Sequence, residues 1–276
     1  MKMKSGKQWW VVWPSMLAVA LCGVAASVGR SQDSGAQDPV AEYRAMLGDD
    51  NPAVFAEEHG KDLWNAARAG GKTLAGTCDL GQGVGKTHGA YAHLPRYFKD
   101  TRTVQDLESR LVTCLTRLGV DRATLLKNRF GDGSETDLEA LTAYLVAQSS
   151  GEPMAVSLDH PEERKAYELG KAIFYYRAGT HDFSCATCHG QPGKRIRLQV
   201  LPDLASPEGA REAYTTWPAY RVSQGEVRTM EWRLEDCFRQ QRLPELEYGS
   251  PAAIALTMFL ARSADGGKMA APGLKR

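Results

Sequence analysis

The sequence predicts a mainly α protein built from two tandem copies of one domain, and three observations carry that reading. Apolar residues recur at helical spacing in six segments, alternating strand-like patterns are scarce, and two distant stretches of the chain match position by position. The helical segments are Pro52 to Ala69, Thr103 to Leu118, Thr136 to Gln148, Pro161 to Arg177, Arg228 to Gln240 and Ser250 to Ser263. The last has a clear start: Ser250 stands at the cap and Pro251 at the first helical position, where a missing N–H costs nothing. Between the third and fourth segments Ser149 to Pro153 reads SSGEP, which breaks the pattern and marks the linker between copies.

The 276 residues are 43% hydrophobic and 24% charged, the balance of a water-soluble globular chain with enough length for two modest cores. A formal net charge of +1 supplies no polybasic face, so no nucleic-acid partner is expected. The first 27 residues differ from the rest. Lys2, Lys4 and Lys7 precede apolar runs from Trp9 to Trp13 and from Met16 to Ala26, and Ala25, Ala26 and Ser27 supply small residues for cleavage. Residues 1–27 therefore read as a secretory signal peptide, whose removal takes three lysines and no acid and lowers the charge from +1 to −2. A lipoprotein anchor at Cys22 is the rival, but Leu21 stands where such a signal wants a small residue. Residues 28–38 are polar and read as a flexible leader, with order beginning near Pro39. The domains are then 39–150 and 151–276. No later stretch approaches the roughly 20 apolar residues of a membrane helix, so an exported protein in an oxidising compartment, without a membrane span, is expected.

The duplication is visible without a gap. Residues 90–114 (AYAHLPRYFKDTRTVQDLESRLVTC) and 213–237 (AYTTWPAYRVSQGEVRTMEWRLEDC) agree at 9 of 25 positions. Tyr91 pairs with Tyr214, Pro95 with Pro218, Glu108 with Glu231, Arg110 with Arg233 and Cys114 with Cys237. Upstream, Gly60-Lys61 matches Gly170-Lys171, and 18 residues beyond each glycine Cys78 falls opposite Cys188.

In the second copy Cys185-Ala186-Thr187-Cys188-His189 is a CxxCH, which in an exported chain reads as covalent attachment of a c-type haem. Two thiols add across the vinyl groups and the next His becomes the proximal ligand. A zinc reading lacks a second ligand pair nearby, and a thioredoxin-like reading lacks its βαβ context. The fold class sharpens to two tandem cytochrome c-like domains from an internal duplication, only the C-terminal one binding haem. Met230 and Met258 are available as a distal ligand, although Met258 lies in an apolar helical pattern that suits a core residue; His181 reads as a loop residue.

Cysteine arithmetic points elsewhere for the distal ligand. Five cysteines remain after signal cleavage, two of them for haem, so an odd three are left in an oxidising compartment. Opposite Cys185, Cys188 and His189 the first copy has Ala75, Cys78 and Asp79, and so cannot hold haem in the usual way. If Cys78 and Cys114 border the space that haem occupies in the other copy, their sulfurs can meet as a disulfide. The same correspondence places Cys237 facing the iron, opposite His189. A buried, inert Cys237 is the alternative.

With these residues assembled, the sequence resembles the SoxA family of catalytic cytochrome subunits of periplasmic thiosulfate oxidation. The resemblance covers nearly all of the mature chain and rests on the duplicated domains, on SCATCHG and on GEVRTMEWRLEDCFRQQRLPEL around Cys237. It is closest to the single-haem branch, in which a disulfide replaces the first haem. It implies a periplasmic protein with one covalently bound haem c, held by Cys185, Cys188, His189 and Cys237. It further implies that Cys237 is the catalytic residue, carried as a persulfide, and that Arg233 is the substrate-binding arginine. The implied reaction joins thiosulfate to a cysteine of a SoxY-type carrier of a SoxYZ complex, releasing two electrons, with a SoxX-type small cytochrome c subunit completing a heterodimer.

Physical chemistry accommodates those roles. A thiolate beside a cation is a good nucleophile, and an Arg fork can hold a dianion. Arg233 and Cys237 are four apart and share a helix face, whereas Arg239 projects from another side and is at most a weak second cation. Arg110 occupies the same place in the copy without haem, with Glu108 and Glu231 accompanying both, so an inherited ion-pair residue is the alternative reading of Arg233. A periplasmic electron carrier with no substrate chemistry is the second functional reading.

Overall fold

The computed structural model describes residues 51–127, 135–196 and 199–276; the expected signal peptide, leader and start of order near Pro39 lie outside them. In chain order the first copy contains α1 (Ala53–Asn65), α2 (Leu74–Thr77), β1 (Arg96–Phe98), β2 (Thr103–Gln105), α3 (Leu107–Arg117), α4 (Arg122–Leu125) and α5 (Asp137–Ala147). The second contains α6 (Pro161–Tyr175), α7 (Cys185–His189), β3 (Arg195–Ile196), β4 (Gln199–Val200), α8 (Pro207–Tyr214), β5 (Ala219–Arg221), β6 (Glu226–Arg228), α9 (Met230–Gln240), α10 (Pro251–Ser263) and β7 (Gly273–Lys275).

Each copy is organised around one close helix pair. Ala53, Ala56, Gly60 and Trp64 line the buried stripe of α1, which packs on α5. Gly60 lies against the Ala140 carbonyl and Tyr144 Cβ, so closely that any side chain would collide. In the second copy α6 packs on α10, and Gly170 meets the Ala255 carbonyl and Phe259 Cβ in the same way. These are the two glycines that the sequence aligned. The start of α5 is a reciprocal cap, with Thr136 Oγ1 accepting from the Glu139 N–H and the Glu139 carboxylate accepting from the Thr136 N–H. Ser250 caps α10 as expected.

The aligned segments fold alike. β1 pairs antiparallel with β2, Arg96 opposite Gln105, and β5 with β6, Ala219 opposite Arg228; a cis proline, Pro95 or Pro218, precedes each hairpin. Asp106 then caps α3, and Thr229 caps α9. This corrects two of the expected helices. Thr103 to Gln105 and Arg228 are strand, because the caps that satisfy the first N–H groups of each helix sit inside the predicted windows. The helix expected over Pro52 to Ala69 ends at Asn65, and that over Pro161 to Arg177 at Tyr175, where Ala66 and Tyr176 turn extended.

The copies pack on each other through equivalent residues. Tyr91 and Tyr214 stack with their hydroxyls 3.3 Å apart, and the Glu231 N–H donates to Glu108 Oε2. Buried Arg228 pairs with Glu139 at 2.8 Å and with Glu226, joining the second hairpin to α5. The SSGEP turn is tied down: the Gly151 N–H donates to the Met269 carbonyl and the Met154 N–H to the Gly267 carbonyl. Among the described residues no helix is long and apolar enough to cross a membrane.

Candidate active site

The short helix α7 exists because Ser184 and Thr187 cap each other. Ser184 Oγ accepts from the Thr187 N–H at 3.2 Å, and Thr187 Oγ1 accepts from the Ser184 N–H at 2.9 Å. One turn then separates Cys185 from Cys188, which places the two thiols on one helix face. His189 closes the helix, its Nδ1 donating to the Pro202 carbonyl at 2.9 Å. That bond fixes the tautomer and leaves the Nε2 lone pair free to ligate. Burial, and then the Arg233 charge, hold the His189 pKa below its usual value, keeping the ring neutral.

Cys237 comes from the middle of α9. Cys185, Cys188 and Cys237 are unbonded and half-buried, and the thiols lie within electrostatic reach of one another. Burial pushes the Cys237 thiol up, and the Arg233 guanidinium pulls it down. The cation next door was expected to make a thiolate; desolvation outweighs it here. Two thiols, an imidazole with a free Nε2 and a third sulfur form a donor set that fits a c-type haem.

The first copy supplies the contrast. Cys78 and Cys114 are joined by a disulfide, 36 residues apart in sequence. Asp79, in the place of His189, turns its carboxylate onto the N–H groups of Gly81 and Gly83. Arg110 is held in place: its Nε donates to the Asp79 carbonyl, Nη1 binds Asp100 at 2.9 Å and Gln105 at 3.2 Å, and its guanidinium lies over the Phe98 ring.

Arg233 is less confined. It donates to Asp236 at 3.0 Å, yet its side chain keeps 30% of its exposure. Asp236, not singled out in the sequence, is almost fully buried and also accepts from Arg239 at 2.8 Å and Gln240 at 2.6 Å. Arg239 thus helps anchor the carboxylate that holds Arg233. The signal was present as an acid at i+3 from one arginine and i−3 from the other. Met258 is fully buried in the core of α10, Met230 is buried at the start of α9, and His181 sits exposed in the loop before α7, against Phe183.

Comparison with known proteins identifies the relatives of this chain. The sequence model of the family described as SoxA/TsdA, cytochrome c domain, matches residues 59–154 and 169–269. The L-cysteine S-thiosulfotransferase subunit SoxA of Hydrogenophilus thermoluteolus is 44% identical over 95% of this chain and 96% of its own. The protein of the same name from Hydrogenobacter thermophilus is 36% identical over 81% of each chain. Among solved structures, SoxXA from P. pantotrophus superposes with a TM-score of 0.70 at 26% identity, covering 85% of this chain and 84% of that one.

Proposed function

The chain belongs to the SoxA/TsdA cytochrome c family, and from that premise we propose that it acts as an L-cysteine S-thiosulfotransferase, coupling thiosulfate oxidatively to a cysteine of a SoxY-type carrier. The observation that carries the reading is the divergence of one repeated position: Cys114 is consumed in a disulfide, whereas its counterpart Cys237 stays unbonded beside Cys185, Cys188 and Arg233.

The cytochrome c domain fold implies haem c. In this reading Cys185 and Cys188 would hold one haem through thioether bonds, His189 and Cys237 would ligate its iron, and the group would supply one-electron oxidation. The two copies serve as tandem domains, 39–150 without haem and 151–276 with it. His189 stays neutral and oriented through Pro202, and Arg233 steers the substrate dianion to the Cys237 sulfur, which is carried as a persulfide. The net reaction balances as carrier thiol plus thiosulfate giving carrier S-thiosulfonate, one proton and two electrons. The new bond is sulfur to sulfur, and the two electrons are released from the sulfurs that join.

A SoxX-type small cytochrome c subunit fits as the electron-accepting partner, since the solved neighbour is titled a SoxXA structure. The signal peptide and the periplasm complete the proposal. A carrier cytochrome without substrate chemistry is not favoured, because the curated relatives are named as transferase subunits. The deciding experiment is Cys237→Ala, which should abolish thiosulfate coupling while covalent haem is retained. Retained turnover would refute the mechanism, and magnetic and optical spectra of the parent protein should report sulfur rather than Met or second-His ligation.

A further inference from the structure

The two hairpins differ where they face the repeated arginine. In the first copy Phe98 covers Arg110 and Asp100 neutralises it at 2.9 Å. At the corresponding positions of the second copy stand Arg221 and Ser223. An aromatic lid has become a second cation, and the neutralising acid has become a hydroxyl. Arg221 ends β5, half-buried, and its Nε is buried with no hydrogen-bond partner among the described residues. Burial, and then the charge of Arg233, lower its pKa to about 10, opposed by Asp236. The two guanidiniums therefore sense each other, while Arg233 also acts on Cys237 and His189.

Two like charges in a half-buried site repel, and Asp236, the carboxylate that acts on both, is already shared with Arg239 and Gln240. Such an arrangement is relieved by a bound anion. We propose that Arg221 is a second substrate-binding arginine, forming with Arg233 a cradle for the sulfonate oxygens of the sulfur substrate at Cys237. This rests on the thiosulfotransferase reading. The sulfonate carries three acceptor oxygens, enough for both forks, and leaves the terminal sulfur of thiosulfate free for bond formation. The S-thiosulfonate product keeps the same group, so one cradle serves both.

The test uses the haem-loaded complex with its small cytochrome subunit, the carrier protein and thiosulfate. Arg221→Gln should raise KM for thiosulfate about 10- to 100-fold, the factor expected for a lost charge-assisted hydrogen bond, with a smaller change in kcat. Arg221→Lys, which keeps the charge but not the fork, should fall between. Calorimetric titration of the oxidised complex with thiosulfate, carrier omitted, should show the same order of affinity, and the haem potential should be unchanged. An unaltered KM and affinity in both variants overturns the proposal. So does a shifted haem potential with unaltered KM, which would assign Arg221 to the haem carboxylates. If the parent complex binds thiosulfate but does not couple it, the function is wrong, and the affinities alone decide the cradle.

Discussion

Tyr91 and Tyr214 are the same residue of two sequence copies, 123 positions apart, and they touch: hydroxyls 3.3 Å, ring centroids 6.3 Å, planes within 5°. Equivalent residues meet only near an axis relating two copies. The Glu231 N–H to Glu108 bond, with the same separation, lies on it as well. The duplication is thus also the packing interface.

Removing one hydroxyl of that pair strands the other in a buried site. Tyr91→Phe or Tyr214→Phe should each cost about 1–3 kcal/mol of unfolding free energy. The double variant should cost less than the sum of the two, giving a coupling near 1 kcal/mol in a denaturant double-mutant cycle. Strict additivity would show that the pair is not coupled.

Beside the tyrosines, Asp106, Glu108 and Glu231 bring their carboxyl oxygens within 4.8 Å of one another, all buried. Desolvation, then the Asp106 charge, hold the Glu108 and Glu231 pKa values well above the ordinary carboxylate range. A raised folded-state pKa means that the native state binds the extra protons. Their contribution is complete below the unfolded value near about 4.3 and is lost as pH rises through the folded values, at about 1.4 kcal/mol per pH unit per proton. Glu108→Gln/Glu231→Gln should therefore flatten the decline of the thermal midpoint above pH 4 and stabilise the protein at neutral pH. Parallel profiles for parent and variant would contradict this.

The axis was legible in the sequence because its residues are packing determinants that survived in both copies. Tyr91/Tyr214, Pro95/Pro218 and Gly60/Gly170 could be aligned by eye, and each has the same structural task twice. The hairpins were not legible. Three-residue strands are too short to set a period of two, and the helical spacing of α3 and α9 ran back over Thr103 and Arg228. At the site, the sulfur and imidazole donors followed from motif and repeat. Asp236 and Arg221 did not, because their meaning lies in what they face: one gathers three donors, and the other stands at the position from which Phe98 covers Arg110 in the first copy.

The glycine pair gives a symmetric prediction. Gly60→Ala would drive a methyl into the Ala140 carbonyl, and Gly170→Ala into that of Ala255. Backbone has no rotamer to yield, so each should destabilise by the upper end of the overpacking range, about 3 kcal/mol, despite the better helix propensity of alanine. Chemical unfolding measures it, and a neutral or stabilising outcome at either site would mean that the helices do not approach so closely.

Closing a 36-residue loop, the Cys78–Cys114 disulfide should contribute about 3–4 kcal/mol. Cys78→Ala/Cys114→Ala should lower the unfolding midpoint accordingly while leaving haem attachment at Cys185 and Cys188 intact, read from intact mass and the absorption spectrum. Free thiols at both positions in the native protein would remove the basis of the comparison with Cys237.

The two aligned arginines should behave oppositely. Arg110 is 3% exposed and spends its donors on the Asp79 carbonyl, Asp100 and Gln105 beneath the Phe98 ring, so no surface is left for a ligand. Arg110→Gln should cost about 1.5–3 kcal/mol of stability, the range for hydrogen bonds to a charged group, and should leave the KM for thiosulfate unchanged. Arg233 has one buried acid, partial exposure and an electrostatic link to Cys237. Arg233→Gln should therefore raise KM or lower kcat by at least about tenfold, with a smaller loss of stability because its acid keeps Arg239 and Gln240 as donors. Paired unfolding and steady-state measurements on the two variants separate the roles. Equal stability losses with no kinetic difference would make Arg233 an inherited structural residue, as its repeat partner is.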